Sequence, residues 1–232
     1  MKQNSTVASL SALVLLCGAP AMAQNPQMEQ KLMAIKQSMA ENKQQLAQYT
    51  WQETETISLK GEVKDTKLYQ VQMGPNGQQK TLLNNEPAQS GGGRQGRLKQ
   101  HIVEKKKEEF QEYGQQIGAL AKQYTTPDPE RLMQAKQQGN VSLQLGGNGT
   151  VNLVIKSYVK PNDQVTLTIS NETKKIVAAN IQSYLNDPSD AVTISAQFAQ
   201  LPDGTNHVSS MQINGQSKQL VVNEQNSNYQ KM

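Results

Sequence analysis

The sequence predicts an α+β protein in which a curved antiparallel sheet is covered by an N-terminal helix and a helical insertion. Three observations lead there. Residues 49–74 form two alternating runs around a short glycine turn. Apolar stripes of helical period occupy 26–48 and 97–124. From residue 141 onward, strand-like runs and turn residues alternate about every ten positions, the signature of consecutive antiparallel strands.

The N-terminus reads as an export leader. Lys2 precedes an apolar run from Val7 to Leu16, and Ala21-Met22-Ala23 makes an A-x-A cleavage site, so residues 1–23 are expected to be removed after Ala23. The apolar run is too short to span a bilayer, which takes roughly 20 residues. Cys17 lies inside this run, preceded by Leu15 and Leu16 and not by the small residue that a lipoprotein cleavage site requires. It is therefore expected to leave with the leader and not to carry a lipid. As the chain has one cysteine, cleavage removes disulfides, thiolate nucleophiles and Cys-type metal sites from consideration. A periplasmic location is the expectation.

Residues 24–232 fit one domain, with the helical insertion at about 94–138. About one residue in seven is Gln, so the apolar core is thin for the length. The 23 Lys and Arg against 19 Asp and Glu give a mild basic excess. Without aromatic residues interleaved among basic ones, it points to no nucleic acid partner.

Met28, Leu32, Ile35, Met39 and Leu46 follow the 3–4 spacing of a helix that packs on one side. The hairpin comes next. YTWQETETISL places Tyr49, Trp51, Glu53, Glu55, Ile57 and Leu59 on one face. With Lys60-Gly61-Glu62 as a three-residue loop, Leu59 pairs with Val63, Glu55 with Lys67, Glu53 with Tyr69, Trp51 with Val71 and Tyr49 with Met73. Pro75-Asn76-Gly77 turns into a short third strand, QKTLLNN. A glycine-rich connector, 86–96, leads to the insertion, where Leu98, Ile102, Phe110, Tyr113, Ile117, Leu120 and Tyr124 form a stripe. Gly114 and Gly118, one turn apart, offer a close approach to another backbone. A second short helix is expected to end near Gly139. Seven runs then follow, from VSLQL to KQLVVN, and Gly146-Gly147-Asn148-Gly149 reads as a hairpin loop and not a phosphate cradle because it enters a strand.

This order of elements, together with YTWQETETISLKGEVKDTKLYQV, resembles the LolA-like superfamily of periplasmic proteins, which includes carriers of outer-membrane lipoproteins. The resemblance implies an incomplete antiparallel barrel whose apolar concave side lies under the helices. In the carriers that cavity takes acyl chains, and an arginine on an early strand holds a closed lid. Here Arg94, Arg97 and Arg131 all lie outside the expected strands, so the carriers' switch has no counterpart.

Several chemistries can be weighed. Glu53 and Glu55 are about 7 Å apart on one strand face, a spacing glycosidase carboxylates use, but Lys67 and Tyr69 across the hairpin make structural pairing the preferred reading. Two histidines, His101 and His207, far apart in sequence, are too few for a His-based metal site and are expected in solvent. No metal or cofactor is expected. The methionines, including Met33, Met133 and Met211, could fill gaps or line an adaptable pocket.

The expected function is non-enzymatic binding of something apolar, a lipid or lipidated protein segment, between the sheet and the helices. Met39, Trp51, Tyr69, Val71, Phe110 and Ile117 are the candidate ligand-binding residues, and any membrane contact would be peripheral or transient. The alternatives are an interaction protein of the cell envelope without a pocket and, more remotely, a hydrolase using Glu53 and Glu55.

Overall fold

A computed structural model describes residues 26–74, 77–87, 97–125 and 129–232. The leader with Cys17, and most of the glycine-rich connector, lie outside the described residues.

The described residues form three helices and ten strands: α1 (Pro26–Leu46), β1 (Tyr49–Leu59), β2 (Glu62–Gly74), β3 (Gly77–Pro87), α2 (Arg97–Thr125), α3 (Pro129–Gln137), β4 (Val141–Leu145), β5 (Thr150–Lys156), β6 (Gln164–Ser170), β7 (Ile176–Tyr184), β8 (Ala191–Gln200), β9 (Asn206–Gly215) and β10 (Leu220–Lys231). All strands belong to one antiparallel sheet of order β3-β2-β1-β10-β9-β8-β7-β6-β5-β4. The sheet is an open curve and does not close into a barrel, because β3 and β4 end it without pairing to each other.

The expected β1–β2 register holds from Thr50↔Gln72 to Ile57↔Asp65, including Trp51↔Val71, Glu53↔Tyr69 and Glu55↔Lys67. The turn differs from expectation. Lys60 (φ 51°) and Gly61 (φ 82°) make a two-residue turn with both residues left-handed, the geometry that suits the twist of a tight hairpin. Leu59 therefore pairs with Glu62 and Ser58 with Val63, and a bulge between Ile57 and Ser58 restores the register beyond it. β3 is longer than QKTLLNN, since its backbone stays paired to β2 as far as Asp65↔Pro87.

β10 departs most from its sequence. The apolar run ends at Asn223, yet the strand continues through NEQNSNYQK to Lys231 because β1 pairs with it along nearly its whole length, from Leu59↔Leu220 to Tyr49↔Lys231. The first and last strands thus join the two halves of the sheet.

The main core lies between the sheet and α2 with α3. Tyr113, Ile117, Leu120 and Ala121 fall on one helical face and are buried, against Ile155, Ile181, Ile194 and Ile213 of the sheet. Burying each large aliphatic side chain contributes roughly 1.5–3 kcal/mol. The close helix–sheet approach is permitted from the sheet side and not by the helix glycines. A Cβ on Gly215 would fall 2.6 Å from the Tyr113 ring, whereas one on Gly114 would make an ordinary 3.6 Å contact with Leu220 and one on Gly118 would meet nothing. The Tyr113 hydroxyl donates to Asp190 (2.8 Å) and accepts from Ser217 (3.1 Å), which fixes the ring over that glycine.

α1 is tied to the start of β9. The Asn42 amide donates to the Asn206 carbonyl at 2.8 Å and accepts from the Asn206 N–H at 2.6 Å. Among the described residues no helix is long and apolar enough to cross a membrane.

Candidate functional site

Strand alternation puts every second residue on the same sheet face, and on the helix-covered face the character changes abruptly. One row across the sheet runs Leu153, Leu167, Ala179, Ala196 and Met211 from β5 to β9. The same row continues as Glu224 on β10, Glu55 on β1 and Lys67 on β2. The apolar face becomes ionisable at the β9–β10 boundary.

The ionisable patch is partly buried. Glu53 is 1% exposed. Its cation is not on the neighbouring strand, where Tyr69 stands opposite, but on β3, where the Lys80 ammonium lies 2.5 Å from the Glu53 Oε1 and 3.9 Å from Glu224. Lys67 bridges Glu55 at 3.5 Å and Asp65 at 3.3 Å. Glu53, Glu55 and Glu224 each bring one oxygen within 4.8 Å of the others. Carboxylates so spaced are the donor set of a hard cation, but the Lys80 ammonium already lies against two of them. Burial, aided by Glu53 and Glu55 and opposed by Lys80, raises the Glu224 carboxyl to about 7. Lys80 is also raised, for a different reason: burial lowers its proton affinity, while Glu224 and Glu53 more than offset that.

Beside the carboxylates stands an aromatic group. Trp51, 1% exposed, stacks on Tyr229 with centroids 5.4 Å apart and planes 16° from parallel, and its indole N–H donates to Asn226 at 3.1 Å. His207 tilts onto the other partner, 4.2 Å from the Tyr229 centroid. His207 is therefore buried rather than solvent-exposed as expected, because Tyr229 of β10 covers it.

The candidate residues fall into two groups. Trp51, Val71 and Tyr69 come together on β1 and β2, with Trp51 and Val71 fully buried and Tyr69 partly open. Ile117 is fully buried in the main core and Met39 packs against that same core from α1, while Phe110 is half-buried on α2. Met33 and Met133 are exposed, and a trough of about 280 Å³ lined by Glu130, Met133, Gln134 and Gln137 on α3 shares no residue with the candidate set. Sequence reasoning missed Lys80, Glu224, Tyr229 and the burial of His207. The alternation Val222, Glu224, Asn226 held the signal for one of them, but its meaning depended on knowing that β10 lies beside β1.

No family model matches the chain, and no curated protein matches it. A solved structure, that of a DUF1329 family protein from Desulfovibrio piger, is similar at 8% identity with a TM-score of 0.41, over 86% of this chain and 92% of that one. This distant likeness does not establish a LolA-like relationship.

Proposed function

We propose that this is an exported, periplasmic binding protein that takes an apolar ligand, an acyl chain or a lipidated protein segment, along the β1–β2–β3 part of the sheet. The observation that carries the reading is Leu82. It is 49% exposed and stands opposite Tyr69, in the row that runs on to Glu53. Its exposure gives the open end of the sheet an apolar side chain that a folded chain does not need for its own core. Tyr69 and Leu82 would touch the ligand, and Trp51 and Val71 would form the floor beneath them. Binding of this kind acts through apolar area and shape and requires no reacting group. The leader pattern supports export.

Native mass spectrometry of the protein extracted from its own membranes tests the reading. A bound lipid mass is expected, reduced several-fold in Leu82→Lys. An empty chain under conditions that keep known lipid carriers loaded overturns it.

A second reading has its own observation. Leu145, at the end of edge strand β4, is 92% exposed, and an open edge accepts a partner strand. A protein captured by the native chain and lost in Leu145→Lys, with no lipid on either, would favour an envelope interaction protein.

A further inference from the structure

Among the described residues, the strand pairing that joins the β1–β3 unit to the other seven strands of the sheet is the β1–β10 ladder. In the middle of that ladder Glu55 stands directly opposite Glu224, and like charges directly across an antiparallel pair repel. Glu53 lies two residues along β1 on the same face.

Two ammonium groups serve this set, and both are shared. Lys80 from β3 sits 2.5 Å from Glu53 and 3.9 Å from Glu224. Lys67 from β2 divides itself between Glu55 and Asp65. Tyr69, opposite Glu53, is held protonated by burial and by Glu55, which push its hydroxyl upward. On the other side, β9 offers Glu224 only the uncharged Met211. Among the described residues four carboxylates therefore face two cations, and the Glu224 side chain is 12% exposed, too little for water to make up the difference. Complete ionisation would leave an uncompensated negative excess inside the ladder.

We propose that the β1–β10 ladder is a proton-tightened joint, in which a proton carried by the Glu224 carboxyl opposite Glu55 holds the β1–β3 unit to β10 and its loss loosens that pairing. The raised affinity of Glu224 for its proton agrees with the geometry: burial is the larger cause, Glu53 and Glu55 add to it, and Lys80 opposes. In the opened ladder Glu224 returns to water and releases its proton more readily. The closed form is therefore favoured in mild acid, and the advantage disappears as pH rises towards and through about 7. The joint separates the first hairpin and β3 from the helix-covered strands, so it would set how freely that part of the sheet moves.

Amide hydrogen exchange on the full chain tests this, with rates corrected for their intrinsic pH dependence. Between pH 5 and pH 7.5 the amides of residues 52–58 and 221–226 are expected to lose about tenfold or more of their protection and at pH 7.5 to be less protected than those of β6–β8, which open only when the whole sheet unfolds. Glu224→Gln, neutral at every pH, should keep the ladder as protected at pH 7.5 as at pH 5. Unchanged protection in the native chain, ladder amides as well protected at pH 7.5 as those of β6–β8, or a surviving pH dependence in Glu224→Gln overturns the proposal. Should that variant fail to fold, a carbon-13 titration of the native Glu224 carboxyl decides: an inflection near neutrality supports the joint, and one in the ordinary carboxylate range overturns it.

Discussion

The indole of Trp51 lies flat against the phenol of Tyr229, across a ladder that slips by one residue to bring them together. Thr50 pairs with Gln230 but Gln52 pairs with Ser227, which leaves the extra residue on β10. Asn228 takes it up at φ 54°, a left-handed conformation that asparagine adopts more readily than most residues.

Trp51→Ala is therefore expected to cost about 3–5 kcal/mol, from the cavity and the lost stack together. Asn228→Gly should change stability little, because glycine accepts the same backbone, whereas the β-branched Asn228→Val should lose about 1–3 kcal/mol. Urea unfolding of the three variants checks the order.

Lys80 neutralises a carboxylate that is almost wholly buried. Lys80→Met is expected to destabilise by about 2–3 kcal/mol, below the usual 3–5 for a broken buried pair because Lys80 is itself about one-third exposed. Removing both charges, in Lys80→Met with Glu53→Met, should recover most of that loss. Lys67→Met, whose partners are more open, should cost under about 1 kcal/mol. A double-mutant cycle in denaturant gives the coupling energy directly.

Stability should fall as pH rises from mild acid to neutrality. The folded Glu224 carboxyl sits at about 7, above the ordinary glutamate value of 4.5, so its contribution is complete below about pH 4.5 and is lost as pH climbs through about 7. The full difference is about 3 kcal/mol. Asp203 works in the opposite sense: the Tyr49 hydroxyl and the Thr205 backbone hold its carboxyl well below the usual range, and that contribution is lost at strongly acid pH. Thermal unfolding should thus show a maximum near about pH 5, and in Glu224→Gln the decline towards pH 7.5 should flatten.

Gly215→Ala should be poorly tolerated for a reason invisible in β9 alone. The new methyl would meet the buried Tyr113 ring, and moving that ring breaks its bonds to Asp190 and Ser217. A loss of about 1–3 kcal/mol is expected, with little loss for Gly118→Ala, which faces open space on α2.

The sequence by itself determined the kinds of element and their local pairing. Alternation and turn chemistry act between near neighbours, so the β1–β2 register, the helical stripe carrying Ile117 and the meander of β4–β9 were all legible. The two-residue turn at Lys60-Gly61 was not, because a bulge can absorb the odd residue without disturbing the pairs beyond it. Tertiary structure alone decided that β10 lies beside β1. That pairing joins residues more than 160 positions apart, and the loop-closure entropy it costs is repaid only by a completed sheet. It turned Glu53 and Glu55 from a pair into a cluster with Glu224, gave Trp51 its stacking partner and buried His207. Lys80 reached Glu53 for a similar reason: a side chain two strands away can satisfy a charge that its direct neighbour, Tyr69, does not.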